Sequence, residues 1–410
     1  MNALPKIDIM EATRLTREGR LSDAMAILGG TLPGSVPPSI DSGGQPQRHR
    51  TPTVLDMAPP STANGNSWTP PKFDAAHSAD VSGGQLPEAL QAVLARMGKL
   101  GSGGGLDGLR GRNAVHTAAP LPEGAKFEER TFANDAGSRA YKLYVPSGYK
   151  GQAVPLVVML HGCTQSPDDF AAGTRMNELA EEQTFLIAYP AQPQSANVSK
   201  CWNWFSAGDQ QRGRGEPSLI AGITGQVMRD FTVSSERVYI AGLSAGGAAA
   251  AIMGSTYPDL YAAIGVHSGL ACGAARDMPS AFAAMRQGGD PARAGSGGQG
   301  GATVPTIVFH GDRDTTVSPV NGDQVIAQSK AAADLRGTVT RGQTPDGVGY
   351  TCTVQATEAG RPMLEQWVLH GVGHAWSGGS ATGSYTEPRG PDASREMMRF
   401  FLEHPKAGAQ

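Results

Sequence analysis

The chain lacks several features that would place it in a specialised class of protein. It has four cysteines in 410 residues, too few for the disulfide framework of a small secreted domain. No apolar run approaches the ~18 residues that a membrane-spanning helix needs. The formal net charge of −3 shows none of the basic excess typical of nucleic-acid-binding proteins. Residues 1–20 also lack the charged-then-apolar pattern of a secretory signal. The sequence therefore predicts no transmembrane segment, no nucleic-acid partner and no signal peptide.

The four cysteines all lie in the later part of the chain. Cys163 and Cys201 each adjoin a segment with candidate site residues, whereas Cys272 and Cys352 do not. Two disulfides would fit an oxidising compartment, and reduced buried thiols would fit the cytosol. The cysteine pattern leaves both alternatives open.

Glycine and proline are abundant, with 55 and 29 residues, and their uneven distribution divides the chain. The spacing of apolar residues over 1–30 predicts a short amphipathic helical segment. Residues 31–120 are rich in Pro, Gly and Ser and predict a mostly disordered linker, with a short helix near 87–100. Either helix could be weak local structure without a partner, or could dock on a partner or a hydrophobic granule surface. We expect residues 121–405 to form the catalytic domain.

Within this last region, apolar strand patterns alternate with helical ones. Strands that alternate with helices predict an α/β fold with a mostly parallel central sheet and helices on both faces. Such sheets bind ligands at the carboxyl ends of their strands. The predicted strands are 139–145, 155–160, 185–189, 237–241, 262–267, 304–310 and 364–370, and helices are predicted over 170–183, 220–231 and 393–402.

The segment Val238–Gly247 contains a Gly-x-Ser-x-Gly motif centred on Ser244. An apolar strand-like run enters the motif and an alanine-rich run leaves it. This setting predicts a nucleophile elbow, in which the small residues Gly242 and Gly246 let strand and helix approach closely. A serine hydroxyl needs such a geometry and a nearby base to become a nucleophile. The alternative is a glycine-rich helix start capped by serine.

The strand over 155–160 ends in His161-Gly162-Cys163. In nucleophile-elbow enzymes this loop gives one oxyanion-hole N–H, and the residue after the nucleophile gives the other. The backbone amides of Cys163 and Ala245 are therefore the candidate oxyanion donors. Alternatively, the loop is no more than a tight strand-ending turn.

Two aspartates follow the strand over 304–310. Asp314 lies further into the loop, where an acid would orient a catalytic histidine and stabilise its imidazolium form. Asp312 is better interpreted as a turn residue that bonds its own backbone. We therefore predict Asp314 as the catalytic acid.

Two histidines, His370 and His374, follow the strand over 364–370. Their spacing would suit a metal on a continuous helix, but Gly371 and Gly373 disfavour one and no carboxylate companion is present, so we predict no metal site. His370 is interpreted as holding the strand end, and His374 as the general base and then general acid. The order Ser244, Asp314, His374 is that of a known class of serine hydrolases.

Several ring-bearing residues lie close to these motifs. Trp202 and Trp376 occur in loops at strand ends, where they could contact substrate or simply pack beneath the loops. His267, at the end of its strand, is expected to pack beside the elbow. Trp202 and Trp376 are our candidate substrate-binding residues.

The motifs around His161, Cys201, Ser244 and His374 together resemble the poly(3-hydroxybutyrate) depolymerase family of esterases. The segments are Leu160-His161-Gly162-Cys163-Thr164-Gln165, Cys201-Trp202-Asn203-Trp204, Gly242-Leu243-Ser244-Ala245-Gly246-Gly247 and Gly373-His374-Ala375-Trp376-Ser377-Gly378-Gly379. That family is similar to feruloyl and acetylxylan esterases. The resemblance covers roughly residues 125–405. It implies an α/β-hydrolase fold, no cofactor, a Ser244–Asp314–His374 triad, and a Cys163–Cys201 disulfide from the family's paired cysteines.

The resemblance also implies a function. We expect a serine esterase that hydrolyses short-chain hydroxyalkanoate esters, as polymer or oligomers, through an acyl-enzyme, with a feruloyl or acetylxylan esterase as the alternative. A non-catalytic hydrolase-fold binding protein is disfavoured because all three triad candidates are present. The family implies an extracellular location, whereas the lack of a visible signal peptide favours the cytoplasm.

Overall fold

The computed structural model describes residues 121–289, 304–330 and 334–406. The predicted N-terminal helices and the predicted linker lie outside these ranges. Within them, no helix is long and apolar enough to cross a bilayer.

Strands and helices alternate along the described chain. The strands are β1 (Lys126–Asn134), β2 (Gly137–Val145), β3 (Val154–Leu160), β4 (Leu186–Pro190), β5 (Val233–Leu243), β6 (Ala263–His267), β7 (Thr306–Gly311), β8 (Arg336–Gln343), β9 (Gly349–Ala356), β10 (Pro362–Leu369), β11 (Trp376–Ser377) and β12 (Thr386–Glu387). The helices are α1 (Pro167–Thr174), α2 (Met176–Gln183), α3 (Gly215–Asp230), α4 (Ala245–Thr256), α5 (Met278–Gln287), α6 (Val320–Lys330) and α7 (Ala393–Leu402), with a 3₁₀ turn over Ala207–Gln210.

Ten of these strands form one sheet in the order β1-β2-β4-β3-β5-β6-β7-β10-β9-β8. The strands from β4 through β3, β5, β6 and β7 to β10 pair in parallel. The outer pairs on both sides are antiparallel. The predicted parallel centre of the sheet is confirmed. The loops that follow these parallel strands all begin at one edge of the sheet.

The central strands are buried on both faces. Every residue of β3 and of β4 is buried, as expected for parallel strands between two helical layers. Side chains alternate along β3: Val158 packs in the core cluster that contains α3 and α4, and Val157 in the cluster that contains α2 and α7. Helices therefore cover both faces, as the sequence predicts.

The structure differs from the predicted elements in two respects. The helix predicted over 170–183 is two helices, α1 and α2, because Arg175 adopts a left-handed conformation (φ 57°) between them. Strands β1, β8, β9, β11 and β12 were not predicted. Nearly all of β8 is exposed, so its sequence lacks the apolar alternation that indicates a half-buried strand.

Candidate active site

Ser244 occupies a strained turn between β5 and α4. Its backbone lies at φ 57° and ψ −121°, a region that costs a non-glycine residue roughly 1–3 kcal/mol. A Cβ on Gly246 would lie 2.0 Å from the carbonyl oxygen of Leu160, and one on Gly242 would lie 2.4 Å from the Gly246 backbone. The motif therefore needs glycine at both positions for β3, β5 and α4 to approach closely.

Strand β6 supports this turn through His267. The Ser244 amide donates to the His267 carbonyl oxygen at 2.9 Å, and the Ser377 amide donates to His267 Nε2 at 3.0 Å. The imidazole stacks on Trp376, with ring centroids 5.1 Å apart. Burial holds the pKa of His267 well below its usual range, which suits an imidazole nitrogen that accepts a hydrogen bond. His267 thus packs beside the elbow, where the sequence placed it.

The loop after β3 is held by a second buried imidazole. His161 Nδ1 lies 2.8 Å from the Gly162 carbonyl oxygen, and His161 Nε2 accepts from the Gln192 amide at 3.1 Å. Burial lowers the pKa of His161 to about 4. Because Nε2 accepts and the ring is neutral, Nδ1 carries the proton and donates to Gly162.

The predicted oxyanion donors, Cys163 and Ala245, belong to two segments that adjoin Ser244. Cys163 lines the same cavity as Ser244, and Ala245 is the first residue of α4, directly after Ser244. The Gly162 amide is fixed by donation to Gln165 Oε1 at 2.9 Å. The residue before Cys163 is therefore fixed, next to the amide that the sequence assigns to the oxyanion hole.

A disulfide joins Cys163 to Cys201, with the two Cα atoms 4.2 Å apart. It links the loop after β3 to the segment before α3. Next to it, the Thr164 amide donates to the Ser199 carbonyl oxygen at 2.7 Å. Cys272 and Cys352 are buried free thiols.

Glu216, at the start of α3, anchors the segment that carries Cys201. Its carboxylate accepts from both the backbone and side-chain nitrogens of Asn203, each at 2.7 Å, and from the side chain of Gln192. Gln192 also donates to the Cys201 carbonyl oxygen at 2.9 Å. Burial, with the charge of Asp209, raises the pKa of Glu216 to about 7.

Asp314 and His374 form a buried carboxylate–imidazole pair. Asp314 Oδ2 lies 2.7 Å from His374 Nδ1, and Asp314 Oδ1 accepts from the amides of Thr316 and Val317, both at 2.9 Å. Burial alone would raise the pKa of Asp314, but the charge of His374 and hydrogen bonds from His310 and His374 hold it below its usual range. Asp314 is therefore ionised and can orient His374 with Nδ1–H towards itself.

Asp312, two positions earlier, binds the other histidine. Its Oδ2 lies 3.0 Å from His370 Nδ1, and its Oδ1 accepts from the Gly371 amide at 2.8 Å. The second ring nitrogen of His370 lies 2.9 Å from the Thr351 hydroxyl. The prediction that Asp312 bonds its own backbone is wrong. Its side chain connects the loop after β7 to the loop after β10.

The two tryptophans expected to contact substrate lie in the interior. Trp202 is 0% exposed and Trp376 is 1% exposed. Trp202 Nε1 donates to the His161 carbonyl oxygen at 3.1 Å, and Trp376 Nε1 donates to the Ser394 hydroxyl at 3.0 Å. The rings pack beneath the loops, so the prediction that they contact substrate is wrong. From the sequence, a buried ring that follows a strand end cannot be distinguished from an exposed one.

Ser244 lines a small cavity. The cavity also contacts His374 and the oxyanion loop, and its lining residues are Gly162, Cys163, Leu243, Ser244, His374 and Tyr385. Tyr385 was not predicted, because it lies in a Gly-, Ser- and Thr-rich loop without any catalytic motif. In the described part of the chain, no group of three or more His, Cys, Asp or Glu side chains is arranged to hold a metal ion.

Comparisons with known proteins identify the family of the chain. Residues 139–346 match the esterase PHB depolymerase family. A poly(3-hydroxyalkanoate) depolymerase C of Paucimonas lemoignei is 33% identical over 265 residues, which are 62% of this chain and 62% of that protein. The match thus covers less than two thirds of the depolymerase. A feruloyl esterase B of Thermothelomyces thermophilus is 27% identical over 64% of this chain and 90% of its own.

Acetylxylan esterases are similar both in sequence and in fold. Acetylxylan esterase A of Talaromyces purpureogenus is 26% identical over 62% of this chain and 71% of its own. The structure of an acetyl xylan esterase from Aspergillus awamori superposes with a TM-score of 0.53 at 21% identity, covering 68% of this chain and 99% of that one. The α/β-hydrolase fold is thereby confirmed. With the family match extending over half of its residues, the chain belongs to the PHB depolymerase family of esterases, which are carboxylic ester hydrolases.

Proposed function

We propose that the protein is a serine esterase that hydrolyses short-chain hydroxyalkanoate esters through an acyl-enzyme intermediate. One observation carries the proposal: Ser244, on a strained turn, shares a cavity with His374, whose Nδ1 lies 2.7 Å from the buried Asp314 carboxylate. This is the arrangement of nucleophile, base and orienting acid that acyl transfer requires.

In the first half of the reaction, Ser244 Oγ attacks the ester carbonyl carbon. His374 Nε2 takes the serine proton, and Asp314 stabilises the resulting imidazolium. The carbonyl oxygen gains the negative charge, which the Cys163 and Ala245 amides stabilise. The tetrahedral intermediate then collapses: the alcohol leaves with the proton from His374, and the acyl group stays on Ser244.

In the second half, water replaces the alcohol. His374 removes a proton from the water as it attacks the acyl carbon, and returns that proton to Ser244 when the acid leaves. No redox or metal-assisted step is needed to balance this reaction. His374 therefore acts first as base and then as acid in each half.

The substrate class is supported by the relatives. The Paucimonas relative is a poly(3-hydroxyalkanoate) depolymerase. The acetylxylan relatives make an acetyl esterase the second candidate.

Replacing Ser244 with Ala tests the chemistry. We expect kcat on p-nitrophenyl butyrate to fall by at least ~10³-fold, because the nucleophile is lost. Ser235→Ala is the matched control, since Ser235 lies on the same strand but is exposed at its far end. Full activity of the Ser244→Ala variant would contradict the mechanism.

A burst of p-nitrophenol equal to the enzyme concentration would support the acyl-enzyme. The substrate class is tested separately, by comparing hydroxybutyrate oligomers with acetylated xylan and methyl ferulate. Faster hydrolysis of acetylated xylan would replace the first candidate with the second.

A further inference from the structure

Tyr385 supplies the largest side chain on the wall of the cavity at Ser244. It is half-buried, and its backbone has a φ of 53°. A bulky residue in the left-handed region is uncommon and is retained where the surrounding structure holds it. The residue therefore has a defined position beside the nucleophile.

A short ribbon holds the Tyr385 backbone next to the catalytic histidine loop. The Trp376 amide donates to the Tyr385 carbonyl oxygen at 2.7 Å, and Trp376 pairs with Thr386 between β11 and β12. Trp376 itself is buried and lies two residues after His374. The tyrosine is thus positioned by the same loop that positions the base.

The Tyr385 hydroxyl reaches across the cavity to the oxyanion loop. It lies 3.2 Å from the Thr164 hydroxyl oxygen. The Thr164 hydroxyl donates to the Cys163 carbonyl oxygen at 2.6 Å, so the tyrosine is the donor in the contact with Thr164. Thr164 also has a positive φ, of 67°. This contact connects the two walls of the cavity.

The residue before the tyrosine is fixed to the same oxyanion loop. The Ser384 amide donates to Asp169 Oδ1 at 2.9 Å, and Gln165 Nε2 donates to the Ser384 carbonyl oxygen at 3.1 Å. Gln165 also accepts the Gly162 hydrogen bond beside the proposed oxyanion hole. The backbone of Tyr385 is therefore anchored on both sides, and the ring cannot rotate away without breaking its hydrogen bond to Thr164.

We propose that Tyr385 is a specificity-determining residue whose ring limits the length of the acyl chain that Ser244 can accept. This rests on the proposed esterase function. The ring lines the cavity at Ser244 and its hydroxyl contacts Thr164 of the oxyanion loop, so an acyl chain that lengthens towards this wall meets the ring. Short acyl groups fit beneath the ring, whereas medium and long chains clash with it.

The test measures kcat/KM on p-nitrophenyl acetate, butyrate and octanoate. Tyr385→Ala opens the wall, and we expect the octanoate-to-butyrate ratio to rise at least ~10-fold, the scale of size discrimination in an apolar pocket. Tyr385→Trp narrows the wall and should lower butyrate hydrolysis more than acetate hydrolysis. Tyr385→Phe keeps the ring and should keep the chain-length profile of the unchanged protein.

Thr382→Ala is the matched control, because Thr382 is exposed in the same loop and its hydroxyl contacts Ser380. Its chain-length profile should not change. An active Tyr385→Ala protein with an unchanged octanoate-to-butyrate ratio would overturn the role of Tyr385 alone. If Tyr385→Ala does not fold, an unchanged acetate-to-butyrate ratio in Tyr385→Trp would overturn it. Activity that does not depend on Ser244 would instead contradict the proposed function.

Discussion

Two aspartates in the loop after β7 bind two different histidines. Asp314 binds His374 in a buried pair, whereas Asp312 binds His370 in a pair that is partly exposed. In each pair a carboxylate oxygen faces the Nδ1 atom of the imidazole. What distinguishes the pairs is the second ring nitrogen: that of His370 contacts Thr351, while His374 shares the cavity of Ser244.

Exchanging each aspartate for asparagine separates the two pairs. We expect Asp314→Asn to lower kcat on p-nitrophenyl butyrate by ~10³–10⁴-fold, because an amide favours the wrong tautomer of His374. Asp312→Asn is the matched control and should retain nearly full activity. Equal losses in both variants, or none in Asp314→Asn, would contradict the assignment of Asp314.

For single residues, the sequence predicts the roles of those that lie in a recognisable motif. Ser244, Asp314 and His374 follow three strands in a recognisable order, and the structure places Asp314 against His374 and His374 in the cavity of Ser244. Tyr385 was missed because its place depends on contacts with Thr164, more than two hundred positions earlier. Burial of Trp202 was missed because adjacency to a strand end does not determine which way a ring points.

Among the elements, the turn between β5 and α4 depends on how closely β3 approaches it. We expect Gly246→Ala to abolish folding or to destabilise the protein severely, since the added Cβ would lie 2.0 Å from the Leu160 carbonyl oxygen. Gly225→Ala on α3 is the control: its Cβ would meet only the flexible end of Arg229, at 3.3 Å. Thermal unfolding of both variants is the measurement. A Gly246→Ala protein with an unchanged melting temperature would contradict the close approach of β3 to this turn.

The disulfide connects two loops that the sheet does not pair. Its cysteines are 38 positions apart, so chain entropy alone predicts about 4 kcal/mol of stabilisation. We expect Cys163→Ser/Cys201→Ser to lower the melting temperature and also kcat, because the freed loop carries a proposed oxyanion donor. Cys272→Ala, a free buried thiol, is the control for losing a cysteine. An unchanged kcat would remove the link between this bond and catalysis.

The sequence predicts the central elements better than the outer ones. Strands such as β3 are apolar throughout and are recognised from composition alone. The exposed β8 is held by its pairing with β9, and no local pattern records that pairing. The break at Arg175 is likewise not marked by a proline or by a glycine at the turning position, where Arg175 itself has a φ of 57°.

For the molecule as a whole, buried titrating groups set the dependence of stability on pH. Burial lowers the pKa of His161 to about 4 and that of His267 well below normal. Below the ordinary histidine pKa of ~6.5 the unfolded chain therefore binds more protons, and stability is lost as pH falls. Glu216, with its pKa raised to about 7, acts in the opposite direction: between pH ~4.5 and 7 its stabilising proton is lost as pH rises.

With two histidines against one glutamate, we expect the melting temperature to be lower at pH 5 than at pH 7. For His161 alone the effect approaches about 3 kcal/mol near pH 4. Glu216→Gln should make the decrease steeper, because it removes the opposing proton. The measurement is calorimetry of both proteins from pH 5 to 7. A shallower decrease of the melting temperature in Glu216→Gln would contradict the stabilising effect assigned to the Glu216 proton.

The contacts of His267 have a consequence for the order of events during folding. The strained Ser244 turn is held by the His267 carbonyl oxygen, and the His267 ring is held in turn by the Ser377 amide, 110 positions further along the chain. Closing a contact across so long a stretch of chain costs loop entropy, so we expect it to form late. During synthesis from the N-terminus, the serine is therefore made long before its support arrives. We expect a nascent chain that ends before Ser377 to have the proposed nucleophile without the support of its turn, and to gain hydrolytic activity only once the segment around Ser377 has docked.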